Sequence, residues 1–216
     1  PASMSILEEG SISAIMPMMG VFNNLVLFDQ HVRQNREESI VPELATGWSW
    51  SEDGTELTFK LRGDVKWHDG KPFTADDVVF TYEFVHDPAS ACVTIGVYKD
   101  LKVEKVDDYT VRFALKRPEA PFLADMAMDF ASILSKEYFE AMLKKGTPNA
   151  ADVYPIGTGP FEFVSYQKDA TIRYKAFDRY WGGRPKIDNL VFSITRDATA
   201  RYAKLKTGEC HAMAFP

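Results

Sequence analysis

The chain contains only two cysteines in 216 residues, Cys92 and Cys210. They lie far apart and no Cys-x-x-Cys pair occurs, which excludes a zinc site built on cysteine pairs. A disulfide and two free buried thiols are both compatible with this spacing, so the cysteines leave the redox compartment open.

Long apolar runs and clusters of basic residues are also missing. No stretch approaches the roughly 18 consecutive apolar residues of a membrane-spanning helix. The 25 basic residues are scattered among 31 acidic ones, giving a formal net charge of −6, so we predict no nucleic-acid partner. Residues 1–10 show neither the basic nor the apolar part of a signal peptide. We therefore expect a mature product, a cytoplasmic protein or a fragment.

The motifs of common hydrolases, zinc proteases and calcium sites are absent, since no GxSxG, HExxH or EF-hand pattern occurs. The four histidines, at positions 31, 68, 86 and 211, are too dispersed to predict a metal site. We predict a protein that is not an enzyme, with no catalytic residue, no metal and no cofactor.

Two short patterns nevertheless invite a catalytic interpretation. His68 precedes Asp69 and could be read as a general base with its orienting carboxylate. Neighbours on a strand point to opposite faces, which favours a turn for this pair instead. The Gly-Thr-Gly-Pro run at 157–160 resembles the start of a phosphate loop. However, Glu162 stands where the third glycine should be and no Gly-Lys-Ser/Thr follows, so we predict a rigid turn.

What the chain does contain is strand and helix patterning around residues 53–86. Apolar and polar residues alternate over 57–61, and Val65 and Trp67 continue the period, which predicts an antiparallel pair. Asp53-Gly54 predicts a tight turn just before it. Thr74 and Asp77 then predict a capped helix that ends before Pro88.

Further elements follow the same logic. A helix with one apolar face is predicted over 11–24, with Pro17 inside it and its methionines packed in the core. Another helix is predicted over 135–145, and a last one begins near Asp197 and ends at Gly208. Strands are predicted at 101–106, 110–115, 161–166, 171–175 and 190–194. The class is therefore mixed α/β with a largely antiparallel portion.

Two long segments carry a family resemblance. GWSWSEDGTELTFKLRGDVKWHDGKPFTADDVVFTYE (47–83) and the run from Ile156 to Glu209, which opens with IGTGPFEF and contains YWGGRPKIDNL, closely resemble the periplasmic solute-binding proteins of peptide ABC importers, extracellular family 5. RPEAPFLADMAMDFASILSKEY (117–138) is most similar to the dipeptide-binding branch. The resemblance covers essentially the entire chain.

The resemblance implies a lobe I of the type II periplasmic-binding-protein fold, with the second lobe absent from a truncated chain. Residues 1–27 and 158–216 would form the main subdomain, and 28–157 an inserted mixed α/β subdomain. It also implies capture of short peptides in the periplasm by a two-lobe clamp, delivery to the permease subunits of an ABC transporter, and a monomer.

Six residues match the ligand-contact regions of the family. These candidate contact residues are Glu9, Gly10, Ser11, Tyr98, Met213 and Phe215. Each has a structural alternative, such as a turn for Gly10, core packing for Tyr98 and hinge packing for Phe215.

Other functions stay open at this point. The same fold could bind a nickel complex, haem, glutathione, an opine or an oligosaccharide. An enzyme using His68 and an interaction module without a small ligand are the alternatives from other classes.

Overall fold

The computed structural model describes residues 4–7, 15–87, 90, 92, 95–98, 100–147 and 153–214. Their strands form one hairpin and two larger antiparallel sheets. In chain order the strands are β1 (Val26–Phe28), β2 (Ile40–Pro42), β3 (Ala45–Trp50), β4 (Glu56–Leu61), β5 (Lys102–Asp107), β6 (Thr110–Ala114), β7 (Phe161–Gln167), β8 (Thr171–Ala176) and β9 (Asn189–Ser193).

The α-helices are α1 (Ala75–His86), the short α2 (Phe122–Asp125), α3 (Lys136–Lys144) and α4 (Ala198–Lys206). Two single turns of 3₁₀ helix lie at Glu37–Ser39 and Asp129–Ala131. None of the described helices combines the length and apolar composition needed to cross a bilayer.

The four-stranded sheet has the order β3-β4-β6-β5. Leu57, Phe59 and Leu61 of β4 point inward, as their alternation predicts. Their face packs with Val111 and Phe113 of β6, and the rings of Phe59 and Phe113 meet edge to face at 5.4 Å. Gly54 has a φ of 68°, which fits the turn predicted between β3 and β4.

The pairing predicted between 57–61 and 65–67 is wrong. Strand β4 pairs with β3 on one edge and with β6 on the other. Both edges of β4 are therefore occupied, and Lys66 makes only an isolated bridge to Pro72. The chain bends away at Arg62, whose N–H donates to the carbonyl of Leu44 at 2.9 Å.

Helix α1 covers this sheet and begins as predicted. The carboxylate of Asp77 accepts the backbone N–H of Thr74 at 3.0 Å, which supplies the return half of the predicted capping box. The same carboxylate accepts the backbone N–H of Lys136 at 2.9 Å and the indole N–H of Trp67 at 3.3 Å. Burial raises the pKa of Asp77, and these donors oppose that shift. One buried acid thus joins the starts of α1 and α3 to the 67–70 turn.

The helix predicted over 11–24 does not continue past residue 15, so its predicted extent is wrong. Residues 16–21 form turns and 22–24 are irregular, while 11–14 lie outside the described residues. The carbonyls of Gly20 and Val21 accept from Phe161 and Gly159, at 2.9 and 2.8 Å, so they are committed to another segment. Met18 is buried as predicted, Met16 is half-buried, and Met19 is exposed.

The three-stranded sheet β7-β8-β9 follows the predicted strands closely. Helix α4 begins after Asp197, whose carboxylate accepts the N–H of Ala200 at 2.7 Å. Strand β1 pairs with β2 across the predicted subdomain boundary at residues 27 and 28. The division into subdomains stays a prediction.

Cys92 and Cys210 form no disulfide with each other. Cys92 is buried and Cys210 is half-buried, so the thiol alternative holds and only the first thiol is fully covered.

Candidate functional site

The two segments that carry the family resemblance meet at a seam between the 67–70 turn and the 157–159 loop. The turn is closed by the N–H of Gly70, which donates to the carbonyl of Trp67 at 2.8 Å. Gly70 has a φ of 89°, a backbone conformation that favours glycine. The backbone N–H of His68 then donates to the carbonyl of Gly157 at 3.0 Å. The turn predicted for His68 and Asp69 is confirmed.

The imidazole of His68 makes two more bonds across this seam. Its Nδ1 accepts the N–H of Gly157 at 3.2 Å, and its Nε2 lies 2.9 Å from the carbonyl oxygen of Gly159. An acceptor at Nδ1 requires the proton on Nε2, so the partners assign the neutral tautomer that donates to Gly159. The ring also packs edge to face on Phe177, with centroids 4.9 Å apart.

Close backbone approach explains the glycines of the 157–159 loop. A Cβ on Gly157 would lie 1.9 Å from the carbonyl oxygen of Val21, and one on Gly159 would lie 2.6 Å from the Val21 carbonyl carbon. The N–H of Gly159 donates to that Val21 oxygen at 2.8 Å. The Gly-x-Gly pattern therefore serves a backbone contact, in agreement with the rigid turn predicted for it.

A polar network extends the seam on its other side. The amide oxygen of Asn23 accepts from the hydroxyl of Thr158 at 3.0 Å and from the indole N–H of Trp181 at 3.4 Å. Its amide nitrogen donates to Glu43 at 2.6 Å. The guanidinium of Arg62 stacks over Trp181 at 4.4 Å from the ring centre.

Glu43 is the acidic centre of this network. Its second carboxylate oxygen accepts the backbone N–H of Asn24 at 2.7 Å. Burial raises the pKa of Glu43 to about 7, because desolvation outweighs the two hydrogen bonds from Asn24 and Asn23.

The neighbouring Asn24 extends the network to residues 128–132. Its amide donates to the carbonyl of Met128 at 2.7 Å and accepts from Ser132 at 3.1 Å. Polar side chains from distant parts of the chain thus fix the backbone at residues 23 and 24. Sequence reasoning missed Asn23, Asn24 and Glu43. The available signals were two adjacent asparagines beside an apolar run and an acid between Pro42 and Leu44.

The seam does not have the arrangement of an acid–base catalyst. Both imidazole nitrogens of His68 are engaged by backbone groups of the 157–159 loop. Asp69 accepts the N–H of Lys71 at 3.1 Å and makes a local turn. Among the described residues, no three His, Cys, Asp or Glu side chains lie close enough together to hold a metal ion.

The structure describes only two of the six candidate contact residues. Tyr98 is 1% exposed, its ring meets that of Tyr82 at 5.2 Å, and its hydroxyl lies 3.3 Å from the Asp125 carbonyl. Tyr98 has the surroundings of a core residue, and its contact with a ligand stays a prediction. Met213 is half-buried near the end of the described chain. The other four, Glu9, Gly10, Ser11 and Phe215, lie outside the described residues.

An open groove of about 700 Å³ runs along the hairpin that joins β1 to β2. It is lined by two valines, two arginines and several polar side chains, among them Val32, Arg33, Arg36 and Val41. Neither Tyr98 nor Met213 lines it. This groove therefore does not bring Tyr98 and Met213 together.

Comparison with known proteins decides the family. The model of the bacterial extracellular solute-binding proteins, family 5, matches residues 39–216. The chain belongs to this family. The members of this family are extracellular proteins that bind solutes.

Characterised relatives and a solved structure support the assignment. The chain is 54% identical over 195 residues to the dipeptide-binding protein of Escherichia coli K12, covering 82% of this chain and 36% of that protein. It is 45% identical over 214 residues to heme-binding protein A of Haemophilus influenzae, covering 91% of this chain and 38% of that protein. The dipeptide-binding protein of Pseudoalteromonas sp. SM9913, solved with Met-Leu, superposes with a TM-score of 0.88 at 33% identity, over 97% of this chain and 44% of that one.

These matches confirm the fold class, a mixed α/β lobe of the type II periplasmic-binding-protein fold. The chain spans less than half the length of each of these relatives.

Proposed function

We propose that this chain is part of the substrate-binding component of an ABC importer, which captures di- and oligopeptides in the periplasm and delivers them to the permease. The observation that carries the proposal is the 54% identity to a dipeptide-binding protein over 82% of the chain. Identity at this level is well above that to the relative named for heme, at 45%.

The fold supports the same proposal. The backbone superposes with TM-score 0.88 on a protein solved with a dipeptide, Met-Leu. A ligand of that kind can be held through its backbone groups, whatever its side chains, by strand-like hydrogen bonds. We propose that Glu9, Gly10, Ser11, Met213 and Phe215 contact the ligand. Tyr98 belongs to the same proposal, either through an edge of its ring or by supporting the 95–98 turn.

The partners follow from the same function. We propose a monomer that works with the membrane-embedded permease subunits and with no nucleic acid. The net charge of −6 agrees with the last point, since phosphate binding requires clustered basic residues. A non-enzymatic role agrees with the engagement of both His68 nitrogens by the backbone.

Heme is the second candidate ligand, because a relative at 45% identity carries that name. Fold alone does not separate the two ligands. A peptide offers two charged termini and a backbone, whereas heme offers a large flat apolar ring, so a direct binding comparison distinguishes them.

The test is thermal unfolding of the whole natural polypeptide that contains this chain, with Met-Leu, Ala-Ala, free methionine and hemin at equal concentration. We expect the dipeptides to raise the Tm and free methionine to leave it unchanged, because ligand binding to the native state stabilises it. A rise with hemin alone, accompanied by a shifted Soret band, would reject the peptide assignment. A Met213→Ala variant with unchanged dipeptide affinity would remove Met213 from the contacts.

A further inference from the structure

The 67–70 turn and the 157–159 loop are joined through one residue. His68 supplies a backbone N–H to the carbonyl of Gly157 at 3.0 Å, an acceptor at Nδ1 to the N–H of Gly157 at 3.2 Å, and a donor at Nε2 to the carbonyl of Gly159 at 2.9 Å. Two of these three bonds are made by the ring, and the one at Nδ1 depends on its protonation state.

Protonation of the imidazole changes one of them from attraction to repulsion. In the neutral ring, Nδ1 presents a lone pair to the N–H of Gly157. In the cation, Nδ1 carries a proton, so two donors face each other at the same distance. The Nε2 bond to Gly159 survives protonation, because that nitrogen donates in both states.

We propose that His68 makes a proton-sensitive hydrogen-bonded contact between these two segments. In the neutral ring Nδ1 holds the N–H of Gly157. Protonation releases that N–H, while the Gly157 carbonyl keeps its bond from the backbone N–H of His68. The release is confined to one side of the loop, because Gly159 keeps the bond that its N–H donates to Val21 at 2.8 Å. This inference concerns residues of this chain and does not depend on which ligand the protein binds.

The charged groups around the ring come from every segment packed against it. Asp69 lies on the same turn, Glu162 on β7 and Lys175 on β8, and the last two form an ion pair at 2.6 Å. Arg179 lies over the Phe177 ring at 5.8 Å and next to Gly70. None of the described neighbours forms an ion pair with His68 itself.

The balance of these influences favours the neutral ring. Burial lowers the pKa of His68 from its ordinary 6.5 and outweighs the Gly159 carbonyl, Glu162 and Asp69, which raise it, while Lys175 adds to the lowering. A histidine whose pKa is lowered by folding contributes stability that is fully present above pH 6.5. That contribution is lost as the pH falls through the native pKa, because the unfolded chain then binds the proton more readily.

The first experiment is an NMR titration of the whole natural polypeptide with ¹⁵N-labelled histidine and glycine, from pH 8 to 5. We expect the His68 ring to show the tautomer protonated at Nε2 and to titrate with a pKa below the ordinary histidine value of 6.5. We also expect the exchange protection of the Gly157 amide to fall at least tenfold on titration, while that of Gly159 holds. A ring protonated at Nδ1, a His68 pKa at or above 6.5, or equal loss of protection at both glycines would overturn the proposal.

The second experiment uses variants in the same protein. His68→Gln keeps a donor for Gly159 and does not titrate, while His31→Gln is the matched control at an exposed position. We expect the difference in Tm between wild type and His68→Gln to shrink by several degrees between pH 7.5 and 5, and the difference for His31→Gln to stay constant. A difference in Tm between wild type and His68→Gln that does not change with pH would contradict the proposal. If that variant fails to fold, the titration of the wild-type protein decides.

Discussion

The four-stranded sheet and the three-stranded sheet of this chain differ in how completely their apolar residues are covered. In the first, β4 and β6 bury Leu57, Phe59, Val111 and Phe113, and six residues of α1 are buried. In the second, Val164 of β7 and Val191 of β9 are 49% and 45% exposed, and none of the nine residues of α4 is buried. Burial of apolar area is the main source of stability, so the same substitution should cost far more at these buried positions of the first sheet than at the exposed positions of β7 and β9.

At the seam, the turn that follows β4 meets the loop that precedes β7, and we expect the largest loss of stability there. Gly157→Ala places a Cβ at 1.9 Å from the Val21 carbonyl oxygen, a contact that requires backbone movement. We expect a loss of more than about 3 kcal/mol in the free energy of unfolding, measured by urea denaturation.

The matched control for Gly157 is Gly47→Ala. Gly47 lies in β3, and a Cβ there meets no atom within 4 Å. We expect this change to be neutral or mildly stabilising. Equal losses at the two glycines would mean that the close approach to Val21 is not what requires glycine at 157.

A pair of identical substitutions tests the difference between the sheets directly. Val111→Ala removes two methyl groups from a fully buried position in β6, and Val191→Ala removes them from an exposed position in β9. We expect a loss of about 2 to 3 kcal/mol at 111 and less than about 0.5 kcal/mol at 191. Similar losses at both positions, measured in the whole natural polypeptide, would show that other residues cover Val191.

The buried Glu43 beside the seam predicts that the free energy of unfolding depends on pH. A pKa of Glu43 raised from 4.5 to about 7 means that the native state binds more protons than the unfolded state between these values. The free energy of unfolding therefore falls as pH rises through that window, by about 1 to 3 kcal/mol, and the penalty is absent below pH 4.5.

Glu43→Gln removes this dependence, because its amide does not titrate. It also loses one of the two acceptors used by Asn23 and Asn24, which costs some stability at every pH. We expect the curve of stability against pH to flatten relative to wild type and to the exposed control Glu38→Gln. A wild-type slope that survives in Glu43→Gln would assign the titration to another group.

The smallest expected change in the free energy of unfolding concerns a buried hydroxyl of the three-stranded sheet. The Tyr174 side chain is 1% exposed, and its oxygen has no hydrogen-bond partner among the described residues. Tyr174→Phe removes an unsatisfied polar atom, so we expect a gain of up to about 1 kcal/mol.

Tyr138→Phe is the opposite case. Its hydroxyl donates to the carbonyl of Tyr154 at 2.7 Å, so we expect a loss of about 0.5 to 1 kcal/mol. A loss at Tyr174 of the same size as that at Tyr138 would indicate that the Tyr174 hydroxyl has a partner in solution.

The sequence predicts those features of the fold that depend on local order. Alternation identified β4 and β6, and the Thr74–Asp77 spacing located the start of α1, because both signals come from residues a few positions apart. The neighbouring β3 lies just across the turn at Gly54 and was not recognised as a partner of β4. The pairing of β4 with β6 was missed because it joins residues far apart along the chain. The helix predicted through Gly20 and Val21 failed for the same reason: their carbonyls accept from 159 and 161.

The candidate site, like the fold, was predictable only where its signals are local in the sequence. The motifs around His68 and Gly157 are visible in the sequence, and a turn at each was predicted. Their mutual contact, and the convergence of Asn23, Glu43 and Trp181, could not be predicted because no spacing relates such distant segments. The candidate contact residues rest on resemblance, and the described structure provides surroundings for Tyr98 and Met213 alone.

The most direct test of peptide capture is to identify what the native protein carries. The whole natural polypeptide would be purified from its own periplasm without added ligand, denatured, and its small-molecule fraction analysed by mass spectrometry. We expect di- and tripeptides in near-stoichiometric amount and of mixed sequence, because backbone recognition tolerates varied side chains. Recovery of heme or another non-peptide solute in that amount, with no peptide, would contradict it.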